Sequence, residues 1–430
     1  MKVSTARTLP LHAVMLLFFC VFLSQADIFL MVSGVLPVSA ANLLFAALLA
    51  LALVLLVRAA LGAQLQGRVI NTYRRHMGVI AALVGVAATA ALLSTLPDTN
   101  WDDGGKYVFL PTYDVVIILL SMLLPLLPGF QQGYRTYLGA ALLVVVASVA
   151  ADVVSPGTFS AFRNRPAGFP MNPNVSAFLL VALAAALLDY ERVRPAHLLL
   201  LALSALAVLI TLSRGGMLSV AVLLGYYLYT AGDLRRWNPR RQALALLVLA
   251  GGAAGLFALV SSVDEAAEAG IVDERRMAVV MGQERGVMTA DEERFVALLT
   301  SAQLIRESPL LGHGTGYSMT MTPGPHNMFL AQMINNGIPG LVCYLLAVLG
   351  SLRVFWRRGY RPGIAFIGLL LLNSLFSHNL LEQRTFTVLL GVLLSLSYQL
   401  ANRPPVQWRE PPGNPAPQPS QSVQPTAARW

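Results

Sequence analysis

The sequence predicts an all-α, polytopic membrane protein, on the grounds of composition, run length and charge placement. Of its 430 residues, 56% are hydrophobic and only 12% charged, and mean hydropathy is +0.64. A soluble domain carries roughly 25% charged residues to solvate its surface, so lipid must solvate much of this one. The apolar residues gather in twelve runs, each near the ~20 residues that cross a bilayer as a helix. The runs are continuous instead of alternating, which excludes membrane strands.

In chain order the predicted spans are 11–33, 35–57, 77–96, 111–130, 137–155, 174–190, 196–212, 216–231, 242–262, 339–356, 362–378 and 385–401. The first follows Lys2 and Arg7 as a secretory leader would, but no small-x-small cleavage site succeeds it, so it reads as an uncleaved span. An even number of spans places both termini on one side. Twenty of the 30 Lys and Arg residues fall on one face, from Lys2 through the Arg235–Arg241 cluster to Arg429. Cytoplasmic loops retain basic residues, so this bias puts both termini in the cytoplasm. It also accounts for the net charge of +9 without a nucleic-acid partner; the expected surroundings are membrane lipids.

Residues 1–401 form the membrane domain, including one large outer loop, 263–338, which holds ten acidic residues and five arginines. Within it, helical spacing over Arg294–Arg306 and His326–Asn336 predicts short helices at the membrane surface. Residues 402–430, rich in Pro, Gln and Ser, lack the apolar content to build a core and read as a disordered cytoplasmic tail. The two cysteines, Cys20 and Cys343, both lie inside apolar runs, which gives neither a disulfide framework nor a cysteine metal site.

The ten basic residues on the other face are Lys106, Arg163, Arg165, Arg214, Arg275, Arg276, Arg285, Arg294, Arg306 and Arg384. They oppose the topological rule, so another role is expected of them. Arginines converging on one face match phosphate oxygens bidentately, and Arg214, in the short turn Ser213-Arg-Gly-Gly216, sits where an unpaired charge is expensive. Snorkelling is the plain alternative for Arg214, and pairing with Asp273, Glu274, Glu292 and Glu293 the plain alternative for Arg275, Arg276 and Arg294.

Six histidines are sorted by the same topology. His12, His76 and His197 fall at cytoplasmic edges, where interfacial anchoring is expected; His313, His326 and His378 fall on the outer face. His326 follows Pro325 at the start of a helix, and imidazole, whose unperturbed pKa is near 6.5, suits a general base there. Gly312-His-Gly-Thr-Gly-Tyr317 lacks the strand and spacing of a nucleotide loop and reads as a tight turn with close backbone approach. No Asp-x-Asp occurs, and no metal site is expected. Asp27, Asp114 and Asp152, within or near spans, could serve proton coupling in a transporter, but they are scattered and at least two lie near span ends, so they read as caps or headgroup contacts.

These motifs resemble the bacterial O-antigen ligase family, within the ligase and polymerase superfamily of polytopic glycosyltransferases. His326-Asn327 followed by Gly337-Ile-Pro-Gly340 is similar to its His-Asn…Gly-x-x-Gly signature, and Arg214-Gly-Gly-Met-Leu218 to its Arg-x-x-x-Leu element. Arg294 with the stretch Ile305–Tyr317, and Asn172-Pro-Asn174, resemble two further elements; Ala297-Leu298 departs from the aromatic residue common after the Arg. The resemblance implies a GT-C-like, metal-independent transferase without cofactor at the periplasmic face of the inner membrane. Its donor would be undecaprenyl-pyrophosphate-linked O-antigen and its acceptor the lipid A–core oligosaccharide, in lipopolysaccharide biosynthesis, with inversion. His326 would be the base. Arg214, Arg276 and Arg294, then Arg163, Arg165, Arg275 and Arg384, would bind the pyrophosphate, with Asn172, Asn174, His313, Asn327 and Gly337 in support. An O-antigen polymerase or protein O-oligosaccharyltransferase is the alternative within the class, and a lipid-linked glycan transporter the alternative outside it. A transporter would concentrate ionisable groups at mid-membrane, whereas this chain concentrates Arg and His at one face.

Overall fold

The computed structural model describes residues 9–97, 99, 102–160, 165–231, 290–378, 380 and 383–401. The described residues are helical throughout, with no strand. The first predicted span is broken: α1 (Leu9–Phe18) runs through a π-helical turn, Phe19–Leu23, into α2 (Ala26–Val32), with a bend of 60° at Gln25. Then follow α3 (Ala40–Ala60), α4 (Ala63–Arg74), α5 (Met77–Leu93), α6 (Asp102–Ser121) and α7 (Phe130–Val154). After these come α8 (Pro173–Leu187), α9 (Pro195–Ile210), α10 (Arg214–Ala231), α11 (Ala290–Glu307), α12 (Met328–Arg357), α13 (Arg361–Ser374) and α14 (Arg384–Ala401).

Of the twelve predicted runs, 242–262 lies outside the described residues and the other eleven fall on helices. Four helices are long and apolar enough to cross a bilayer alone: α3, α6 with its 3₁₀ extension, α7 and α12. The number rises to six if the bent pairs α1/α2 and α4/α5 each count as one span. The other described runs are α8, α9, α10, α13 and α14, helices of 14 to 18 residues. The architecture is therefore that of a multi-pass membrane protein with four to six full-length spans, by length and apolarity, among the described residues. Large apolar side chains are exposed along α3, including Leu53, Val54, Leu56 and Val57. On a folded chain such a band calls for lipid instead of water.

The core is organised around α8. Fourteen of its fifteen residues are buried, Asn174 being the exception, and it packs against α7, α9, α10, α13 and α14. A helix apolar on every face belongs at the centre of a bundle. At ~1.5 Å per residue it is about 22 Å long, short of the ~30 Å hydrocarbon core, so its ends lie within the bundle. Elsewhere α12 packs most extensively on α5, and α14 on α6.

The ends of the bundle keep apart the residues that charge placement sorted onto two faces. At one end, Arg135 and Arg194 pair with Asp189 at 3.5 and 2.9 Å. His76 there accepts from Arg358 (2.8 Å) and donates to the Thr72 carbonyl (2.6 Å). His197 accepts from the Asp189 amide at 3.1 Å, and His12 bonds Tyr137. His76 and His197 are buried, so these two brace helix ends inside the bundle instead of anchoring at the headgroups. At the opposite end lie the starts of α8, α10, α12 and α14 and the ends of α7, α9 and α13, where the site forms.

Candidate active site

A cavity of about 130 Å³ opens at this end, lined by Asn172, Asn174, Val175, Phe178, His326, Phe376, Ser377, His378, Leu380, Gln383 and Phe386. Its polar residues come from three helix starts and, with Ser377 and His378, from the stretch that follows α13. Asn172 is the N-cap of α8, and its Oδ1 accepts from the amides of Asn174 (3.0 Å) and Val175 (3.4 Å). Pro173 at the first helical position has no amide to leave orphaned, so Asn-Pro-Asn is a helix start written for this place. Asn327 caps α12 in the same way, accepting from Phe329 (2.9 Å) and Leu330 (3.1 Å). That cap fixes the backbone immediately after His326, whose φ is +45°. Gln383, just before α14, receives the Gln25 side-chain amide at 3.0 Å.

Four non-glycine residues have positive φ among the described residues: Gln25, Met171, Leu212 and His326. All four belong to this end of the bundle. Gln25 holds Gln383, Met171 precedes the Asn172 cap, the Leu212 carbonyl accepts from Arg165, and His326 lines the cavity. Such conformations persist where surrounding structure over-determines them, and they gather at functional sites.

The loop before α8 is shaped by a buried carboxylate. Asp152 accepts from the amides of Phe159 (3.1 Å), Ala167 (2.8 Å) and Gly168 (3.4 Å). It thus acts as a cap for the loop, as its position near a span end suggested. Arg165 lies on this loop and donates to the carbonyls of Thr211 (3.3 Å) and Leu212 (3.2 Å) and to Asn174 Oδ1 (3.2 Å). It clamps the α9–α10 turn onto the start of α8. Arg214, half-buried, opens α10 directly after this turn. A Cβ on Gly215 would stand 3.2 Å from Phe178, and one on Gly216 would stand 2.4 Å from the Ala177 Cβ. The two glycines thus let α10 press against α8; Arg214, just before them, is not among the cavity-lining residues.

The remaining expected residues are placed differently. Arg384 is committed to Asp27 by an ion pair at 3.1 Å, with the two side chains 11% and 1% exposed; the break between α1 and α2 delivers Asp27 there. An arginine so engaged positions the start of α14, and this corrects its expected role as a phosphate ligand. Arg294 is exposed near the start of α11 and is not among the cavity-lining residues. His313 is a brace: its Nε2 donates to the Leu304 carbonyl (2.9 Å) and its ring stacks on Tyr317 at 4.9 Å. Gly337 breaks α12 with φ +58° and ψ −157°. Its amide region meets the turn at 309–314, where Ile338 donates to Pro309 (3.1 Å) and His313 to Ile334 (2.7 Å). The glycine-rich 312–317 segment is thus a close-packed turn, as its sequence suggested. Arg163, Arg275 and Arg276 lie outside the described residues.

Sequence reasoning left His378, Ser377 and Gln383 without a role. They lie about fifty residues beyond His326, with no spacing signal to link them. In the structure His378 stands edge-to-face with His326, ring centroids 5.6 Å apart and planes at 78°. Burial, and secondarily His326, lower its pKa to about 4, so it is neutral at ordinary pH. Among the described residues, no group of three or more His, Cys, Asp or Glu side chains is placed to hold a metal ion.

Residues 199–345 match the family model described as O-antigen ligase. The match runs from α9 through the break in α12 and includes Arg214, Arg294, His313, His326, Asn327 and Gly337; the Asn172–Asn174 element and His378 lie outside it. It supports the O-antigen ligase and polymerase superfamily, glycosyltransferase-like ligase chemistry, and lipid-linked glycans as substrates in general. Among curated proteins no sequence matches the chain.

Proposed function

Taking as premise that residues 199–345 match the O-antigen ligase family model, we propose that the His326 cavity is the catalytic centre of a ligase moving a polysaccharide between two lipids. The donor is undecaprenyl-pyrophosphate-linked O-antigen and the acceptor a hydroxyl of lipid A–core, at the periplasmic face of the inner membrane, with the termini in the cytoplasm. The observation that carries this reading is the union of His326 with Asn172 and Asn174 at the capped start of the buried helix α8.

In the proposed step His326 takes the proton as the acceptor O–H bond breaks. The hydroxyl oxygen attacks the anomeric carbon while the carbon–phosphate oxygen bond breaks, its electron pair leaving with undecaprenyl pyrophosphate. A single displacement inverts the anomeric carbon. No ATP is needed, because the donor carries its own leaving group. The starts of α8, α12 and α14 direct the positive ends of their dipoles toward the cavity, where they favour an anion. Arg214, at the start of α10, is the first candidate for the pyrophosphate, with Arg276 and Arg294, then Arg163 and Arg275, from the outer loops. Arg165 and Arg384 act instead by positioning.

The test is transfer by the purified full chain supplied with lipid-linked glycan and lipid A–core, with and without EDTA. Product on lipid A–core is expected in both arms, rising as pH climbs through the imidazole range because a base must be neutral to work. His326→Ala should abolish transfer while retaining donor binding. Near-normal transfer by that variant refutes the base assignment, and glycan elongation without lipid A–core product identifies a polymerase.

A further inference from the structure

We propose that His378 is a second substrate-contacting residue of this site, hydrogen-bonding a glycan hydroxyl beside His326; the inference rests on the transferase reading above. Three observations carry it. His378 lines the same cavity as His326, Asn172, Asn174 and Gln383, with its ring edge-to-face against His326 at 5.6 Å. Its Nδ1 is buried and has no hydrogen-bond partner among the described residues, although buried polar atoms are almost always partnered. Finally, the other edge of the ring, Cε1–Nε2, faces Gly324, where a Cβ would make only ordinary contact at 3.4 and 3.5 Å. The ring thus brings to the cavity one buried nitrogen, Nδ1, that a ligand hydroxyl can satisfy.

The kind of ligand follows from charge. With its pKa lowered to about 4, His378 brings no positive charge to a phosphate. A neutral imidazole nitrogen donates or accepts one hydrogen bond, which matches a sugar hydroxyl. His326 removes a proton while His378 holds an oxygen in register, so two imidazoles with one environment between them take separate tasks.

The experiment compares His378→Phe and His378→Asn in the full-length purified protein, with lipid-linked glycan and lipid A–core each varied in turn. Phe keeps a ring against His326 but lacks the nitrogen; Asn places an amide atom close to the Nδ1 position. Loss of one such hydrogen bond should lower kcat/KM about tenfold in His378→Phe, and His378→Asn should recover most of it. A rise in KM confined to the donor or to the acceptor tells which glycan is held. Normal transfer by His378→Phe, or equal impairment of Phe and Asn, overturns the proposal, the second outcome meaning that ring packing alone matters. Should His378→Phe melt below the parent, His378→Asn decides: a raised KM for one glycan supports the contact and an unchanged KM overturns it. His326→Ala separates the two readings. If it is active, the transferase reading fails; if it is inactive while His378→Phe is normal, only the role of His378 fails.

Discussion

Replacing Gly337 by Ala tests whether the Gly-x-x-Gly element serves packing. Gly337 has φ +58° and ψ −157°, a region closed to side-chain-bearing residues at a cost of about 1–3 kcal/mol. A Cβ there would stand 2.3 Å from the Leu310 carbonyl oxygen, 2.5 Å from its carbon and 2.8 Å from the Gly312 nitrogen. All three are backbone atoms, so the 309–314 turn must move. That movement strains the bonds from Ile338 to Pro309, His313 to Ile334 and Gly314 to Asn335, each worth about 1 kcal/mol. The expected destabilisation is about 3–5 kcal/mol, read as a fall of several degrees in melting temperature with loss of transfer. Gly350→Ala is the matched control in the same helix. Its Cβ would meet only Val79 Cγ2 at 3.5 Å, and relief of glycine's entropy makes it neutral or stabilising by up to about 1 kcal/mol. If Gly337→Ala melts alongside Gly350→Ala, the packing argument is wrong.

Asp27→Ala leaves Arg384 buried without its carboxylate, which should cost about 3–5 kcal/mol; adding Arg384→Met should restore much of the lost melting temperature, and independent, additive effects would count against coupling. Arg165→Lys keeps the charge but cannot reach the Thr211 and Leu212 carbonyls and Asn174 together; transfer should fall several-fold, and full activity would mean that the clamp is dispensable. Acidification should loosen the site, because His378 resists protonation down to about 4 when folded whereas an unfolded histidine accepts a proton near 6.5. Its contribution is complete above ~6.5 and is lost as pH falls toward 4, so the difference in melting temperature between pH 7.5 and pH 5 should shrink in His378→Asn; an unchanged difference refutes this.

What was legible in the sequence follows from which forces act locally. Lipid demands continuous apolar helices, so eleven runs could be read one at a time and each proved helical. Charge bias is also local, and it separated the Arg135, Arg194 and Arg358 end from the Arg165 and Arg214 end before any contact was known. His326 and Asn327 were legible as a motif because the two are adjacent in sequence, although the helix expected to hold His326 in its first turn begins only at Met328, with Asn327 as its cap. By contrast, Arg384 could not be told from a phosphate ligand, since the carboxylate that engages it lies 357 positions away at Asp27. His378 was hidden for the same reason. The break after Leu23 was hidden too, because the run 11–33 is apolar on both sides of Gln25. Only tertiary bonds, from Gln25 to Gln383 and Thr385 and from Asp27 to Arg384, give that bend a purpose.

The strain at this end of the bundle shows how the site is kept in place. Each positive φ at Gln25, Met171, Leu212 and His326 costs on the order of 1–3 kcal/mol, and together they rival the net stability of a typical domain, about 5–15 kcal/mol. Such a cost survives only where each residue is fixed from outside itself. Gln25 is fixed by the α14 start, Met171 by its bond to Gly168 and the cap that follows, Leu212 by Arg165, and His326 by the Asn327 cap. Apart from the short Met171–Gly168 bond, every one of these restraints joins two elements far apart in sequence or opens a helix. The cavity is thus held by the ends of packed helices, with its histidines at the points where those helices begin or stop. The proposed reaction between two lipid-anchored substrates needs that arrangement, because polar chemistry must reach the membrane surface while the apolar bundle behind it stays closed to water.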